Sequence, residues 1–149
     1  MLILTLSLAL GCNRSSDSED SGMAALSLKN DRSEITVKGG GEEVHLSLDE
    51  SGVDLPDDFP SDAPVYPGST VFTSATSEYG YTVALQTHTP LKEVTDFYKK
   101  KLKEKGWKIV LNSSLGQDGS MLQASKDQRS QYITFTQQAG TTTISMTVN

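Results

Sequence analysis

Thiol and imidazole side chains are nearly absent from this chain. In 149 residues it has one cysteine, Cys12, and two histidines, His45 and His88. A lone cysteine rules out an intramolecular disulfide. Two isolated histidines with no HExxH spacing do not make a zinc site, and no GxSxG context marks a serine nucleophile. The Gly39-Gly40-Gly41 run lacks the Lys-Ser/Thr that follows in a phosphate-binding loop, so it reads as a turn. Apolar residues are also scarce, at 36%, against a usual ~45–50% counted with glycine. A single modest core is therefore expected, with polar sequence around it. No cofactor motif is present, and none is expected to be bound.

Charge is unevenly spread. Residues 1–62 carry 13 acids and 4 bases, and residues 63–149 carry 6 acids and 9 bases, for a net charge of −6. A nucleic-acid-binding domain would be basic throughout, so no nucleic-acid partner is expected.

The opening MLILTLSLALGC is an apolar run closed by Gly11 and Cys12. It falls short of the ~20 residues that span a bilayer and suits the apolar core of a secretory signal. ALGC resembles the lipobox of bacterial lipoproteins, although Ala9 stands where leucine is commoner. That resemblance implies removal of residues 1–11 and lipidation of Cys12. The mature chain would be held by acyl chains at an extracytoplasmic membrane face of the bacterial envelope, since each buried CH₂ contributes ~0.8 kcal/mol. Residues 12–22, NRSSDSEDSG after the cysteine, contain no apolar side chain after Cys12 and form an expected flexible tether.

Beyond the tether, Leu26/Leu28, Ile35/Val37 and Val44/Leu46/Leu48 alternate at period two, a small β meander over residues 23–50 with turns at NDRS and GGGE. It is too thin to bury a core alone and must lean on something. Residues 51–68 hold four prolines and read as an extended connector, with Leu55, Phe59, Val65 and Tyr66 as its apolar pins. Residues 69–149 then give β-β-α-β-β-β-β. The expected strands cover residues 70–77, 79–87, 107–113, 121–126, 132–138 and 142–148, with a helix over residues 90–105. The fold class expected is α+β, one antiparallel sheet with a single helix packed on one face, preceded by the small meander.

The helix contains FYKKKLKEKGW, basic and framed by aromatics. At 100° per residue, Leu91, Val94, Tyr98 and Leu102 make one apolar stripe with Phe97 at its edge. Lys92, Lys99, Lys100 and Lys103 fall opposite. Lys101 and Lys105 fall inside the stripe near its C-terminal end, where their stems can cover apolar surface. Glu93, Asp96 and Glu104 share the polar face, so the lysines read as a solvated surface rather than a polyanion site. Thr89 is the expected N-cap, with Pro90 at the first helical position, and Gly106 is expected to end the helix in the left-handed conformation.

Two residue groups remain as candidates for binding. Asp54, Asp57, Asp58 and Asp62 supply oxygens of the kind calcium prefers, yet lack EF-hand spacing and sit in a stiff, proline-rich loop; a solvated linker is the plainer reading. Tyr66, Tyr79, Tyr81 and Tyr132 could stack on a sugar ring or a partner peptide, with Tyr79 and Tyr81 expected on one strand face; core or rim packing is the plainer reading. No catalytic residue is assigned.

FPSDAPVYPGS together with FYKKKLKEKGW resembles a group of small bacterial secreted proteins and lipoproteins. That group pairs an FPxDxPxYPG segment with a VxxFYxxxLxxxGW helix. The matching residues are Phe59, Pro60, Asp62, Pro64, Tyr66, Pro67, Gly68, Val94, Phe97, Tyr98, Leu102, Gly106 and Trp107. The resemblance spans about residues 59–149 and implies an extracytoplasmic α+β domain without established enzymatic activity. The function expected is that of a non-catalytic, lipid-anchored binding or assembly module, with an envelope protein or glycan as partner. The alternative is a small-ligand carrier or sensor with a pocket between helix and sheet. An exposed edge strand or aromatic patch would favour the first, and a closed apolar cavity the second.

Overall fold

Among the described residues, period-two alternation becomes a single antiparallel sheet of nine strands. The computed structural model describes the backbone of residues 25–29 and all of residues 34–149; the leader, Cys12, the tether and the NDRS turn lie outside these described residues. The strands are β1 (Ala25–Lys29), β2 (Glu34–Gly39), β3 (Glu42–Ser47), β4 (Thr70–Ser77) and β5 (Gly80–Thr87), then β6 (Lys108–Ser114), β7 (Gly119–Lys126), β8 (Arg129–Gln138) and β9 (Thr141–Val148). One helix, α1 (Leu91–Glu104), separates β5 from β6. The α+β class and the element order are those expected.

The spatial order is β1-β2-β3-β4-β5-β9-β8-β7-β6. Every neighbouring pair is adjacent in sequence except β5 and β9. After β5 the chain crosses one face of the sheet as α1, starts again at the far edge with β6, and meanders back until β9 closes on β5. The helix is thereby laid over β6, β7 and β8. Val94, Tyr98 and Leu102 of the expected stripe are fully buried, and Leu91 and Phe97 are half-buried against the same core. They meet Val83 and Leu85 of β5, Leu122 of β7, Ile133 and Phe135 of β8, and Ile144 and Met146 of β9. Each such side chain contributes about 1.5–3 kcal/mol by leaving water.

The helix ends are built differently from one another. Gly106 ends α1 as expected, at φ +82. Its N–H bonds the Lys103 carbonyl at 3.1 Å, and the Trp107 N–H bonds that of Leu102 at 2.8 Å, the Schellman arrangement. The N-terminus departs from expectation. Pro90, at ψ 144, is itself the cap residue and the helix begins at Leu91. Thr89 lies one residue outside the cap position, and its hydroxyl is 3.1 Å from that of Thr87. The amide of Leu91 instead donates to Gln137 Oε1 of β8 at 3.3 Å.

Five strand starts move by one to three residues, and two of these shifts reposition candidate or core side chains. Tyr79 lies in the hairpin turn, so it does not share a strand face with Tyr81. The strand begins at Gly80, at φ +130, where only glycine fits, since a Cβ there would sit 2.1 Å from the Val148 carbonyl. β8 begins at Arg129 rather than Tyr132, which draws Gln131 out of its expected turn into the fully buried row beside Ala124 and Val148. Its amide donates to Met146 Sδ.

The meander leans on the sheet edge-to-edge, through β3 on β4. Its apolar residues Ile35, Val37, Val44 and Leu46 are in register with one another and with Ala75 and Thr73, on the face away from α1. On the helix side the meander is polar. There Lys38 pairs with Glu43 at 2.7 Å, and His45 lies 3.0 Å from both Glu34 and Glu43.

Candidate functional site

The connector between β3 and β4 has no regular structure, and its four prolines are the reason. It is nonetheless tightly placed. Val53 donates to the Val71 carbonyl of β4 at 2.7 Å, and two tight turns follow, Phe59 N–H to Pro56 and Ala63 N–H to Pro60. All four expected pins, Leu55, Phe59, Val65 and Tyr66, pack against the core. Phe59 meets Tyr81 edge to face at 5.8 Å, and Tyr66 meets Phe97 of α1 at 4.9 Å.

The connector is also clasped at Asp62. Trp107, which follows α1, donates its indole N–H to the Asp62 carbonyl at 2.9 Å. The Asp62 carboxylate takes Lys126 at 2.7 Å and also Arg129, whose guanidinium lies 5.0 Å from the Trp107 ring centre. Burial opposes ionisation of Asp62, but the bonds from Arg129 and Lys126 outweigh it and hold the carboxyl below its ordinary range. The acidic cluster read from the sequence is therefore divided, with Asp62 in this clasp.

Asp54, Asp57 and Asp58 line a different space. With Glu34, Glu43, His45 and Thr76 they border a cleft of about 530 Å³ between the meander and the connector. Both ring nitrogens of His45 are already taken by carboxylates, with the Thr36 hydroxyl also 3.2 Å from Nδ1. Among the described residues no group of three or more His, Cys, Asp or Glu is arranged to hold a metal ion.

On the other side of the connector lies an apolar groove of about 490 Å³, inside the ~300–1,000 Å³ range of small-molecule sites. Leu55, Pro56, Phe59, Pro60, Ala63, Pro64 and Val65 form one wall and Phe97 of α1 the other, with Lys101 and Lys105 at the rim. It lies between helix and connector, not between helix and sheet, and it is open rather than closed. Lys105 donates to the Ser61 carbonyl at 2.6 Å, and Lys101 pairs with Glu104 at 2.7 Å. Among the described residues no carboxylate lines the groove. The groove went unread in the sequence, though one signal was there: two lysines inside an apolar helical stripe.

The four tyrosines are not brought together. Tyr66 and Tyr81 serve the connector's packing, and a hydrogen bond with Asp58 holds the Tyr81 phenol above its ordinary range. Tyr79 is 77% exposed at the hairpin tip. Tyr132 is exposed on the outer sheet face, where its hydroxyl accepts from Gln123 at 3.0 Å. The second histidine, His88, is exposed just before α1.

Among the described residues one helix crosses one face of an open antiparallel sheet, with an apolar groove at its flank, and this defines the class of α+β domain to which this protein belongs. More narrowly, the chain belongs to the START domain-like family, whose model matches residues 68–143, half of its length. The match takes in α1, Gly106 and Trp107, and it begins at the last residue of the FPxDxPxYPG segment. No curated protein matches the chain.

Proposed function

We propose that this protein is a non-catalytic ligand-binding module of the bacterial envelope, tethered through a lipidated Cys12, and that the groove between connector and α1 is its binding site. The observation that carries this reading is the groove itself, an apolar trough whose wall is stiffened by Pro56, Pro60 and Pro64 before any ligand arrives. Preorganisation of this kind reduces the entropy lost on binding. Membership of the START domain-like family favours a ligand-binding fold. The FPxDxPxYPG and VxxFYxxxLxxxGW motifs agree, since Phe59, Pro64 and Phe97 line the groove while the bond from Trp107 to Asp62 holds its wall.

The test is titration of the full chain carrying Cys12→Ser with N-phenyl-1-naphthylamine, a neutral apolar reporter whose emission rises on leaving water. Saturable binding is expected, weakened at least tenfold by Leu55→Asp. Unchanged binding by that variant would reject the groove as the site.

A second reading rests on a separate observation. β6 is an edge strand of the sheet, with Val110 and Leu111 exposed and Leu115 exposed just after it. An envelope protein could add a strand there, making the domain an assembly module. The bulge between Ile109 and Leu111 interrupts that edge and disfavours extended pairing, so ligand binding is the preferred reading.

A further inference from the structure

We propose that the groove takes a single-chain alkyl carboxylate, with the tail along Leu55, Phe59, Pro64 and Phe97 and the head group at Lys105. This rests on the reading of the groove as the ligand site and adds the ligand's chemical class.

The argument is one of charge and shape. Among the described residues the groove's lining has two lysines and no acid, so a ligand bearing a cation would find no counter-charge from them. Lys101 already shares its charge with Glu104. Lys105 does not: among the described residues its ammonium has no ion-pair partner and rests on the Ser61 carbonyl. That bond fixes the ammonium at the mouth of the groove while leaving its charge uncompensated, the condition in which an incoming carboxylate gains a charge-assisted bond. The acidic cleft across the connector shares the wall residues Leu55 and Pro56. One thin segment thus separates a space that repels anions from a space that accepts them. An open trough also admits a linear chain from the side.

The experiment compares three ligands with one tail: octanoate, octylammonium and 1-octanol. Each is titrated into ¹⁵N-labelled full chain carrying Cys12→Ser and followed by amide shifts. Octanoate is expected to move amides within residues 55–65 and 97–105 and to bind at least tenfold tighter than octylammonium. Its affinity should exceed that of hexanoate about threefold to fourfold per methylene. Lys105→Gln should weaken octanoate about tenfold and leave 1-octanol unchanged, and Lys101→Gln should have the smaller effect. Equal binding of octanoate and octylammonium would overturn the head-group assignment while the groove reading stood. No groove amide moving with any of the three would overturn the groove reading itself.

Discussion

Trp107 donates its indole N–H to the backbone carbonyl of Asp62, 45 residues earlier in the chain. This bond joins the residue just past α1 to a connector that has no hydrogen-bonded ladder of its own. Around it, Lys126 and Arg129 bring the β7–β8 hairpin to the same point. The wall of the groove is therefore fixed just ahead of its first residue, by Val53 on β4, and again within its length, by Asp62 on Trp107.

Asp62→Asn should cost about 1–3 kcal/mol of stability at neutral pH, the usual loss when a charged hydrogen-bond partner is removed. The carboxyl is held low in the folded state, so the folded chain binds its proton more weakly than the unfolded chain. Its contribution is complete above the unfolded value of ~3.9 and is lost as pH falls through that value toward the lower folded one. Urea denaturation of both proteins from pH 7 down to pH 2.5 should show their difference shrinking below about pH 4. A difference that is constant with pH would assign Asp62 no ionic role.

Glycine substitutions should separate backbone strain from steric clash. At Gly106 an added Cβ would meet nothing nearer than Lys126 Cε at 3.7 Å, so Gly106→Ala should cost about 1 kcal/mol, from the left-handed φ alone. At Gly80 the Cβ would collide with the Val148 carbonyl, and β5 or β9 would have to move. Gly80→Ala should cost more than about 2 kcal/mol. Thermal unfolding of the two variants side by side checks the order.

Leu102 is fully buried in the core beneath α1. Leu102→Ala should destabilise by about 2–5 kcal/mol. Lys103→Ala, one residue on and exposed, should stay within about 0.5 kcal/mol. Equal effects would mean that the helix does not pack as described.

Cys12→Ser should move the protein from the membrane fraction of bacterial cells to the soluble fraction, since loss of the acyl chains removes the expected anchor. Persistence at the membrane would count against lipidation of Cys12.

Most of the secondary structure was legible in the sequence because period-two and period-3.6 patterns are local. β4 falls on Thr70–Ser77 as read, and Val94, Tyr98 and Leu102 were assigned to the core from helical angle alone. The misplacements share a cause in distant partners. Thr89 has the composition of a cap, but the helix starts a residue later and Gln137 of another strand takes the Leu91 amide. Gln131 looked like a turn residue, but its strand is extended by pairing with β7 and β9. Asp62 looked like one of four clustered acids, yet its partners lie 64 and 67 residues away.

By itself the sequence determined the α+β class, the helix and its buried face, the glycine that stops it, and the irregular connector, because each follows from backbone preference or local periodicity. Tertiary structure alone decided that β9 closes on β5, that the meander extends the same sheet, and that the connector and α1 enclose an apolar groove with Lys105 at its mouth. These depend on which distant surfaces meet when burial and pairing are satisfied together, and no local pattern encodes that choice.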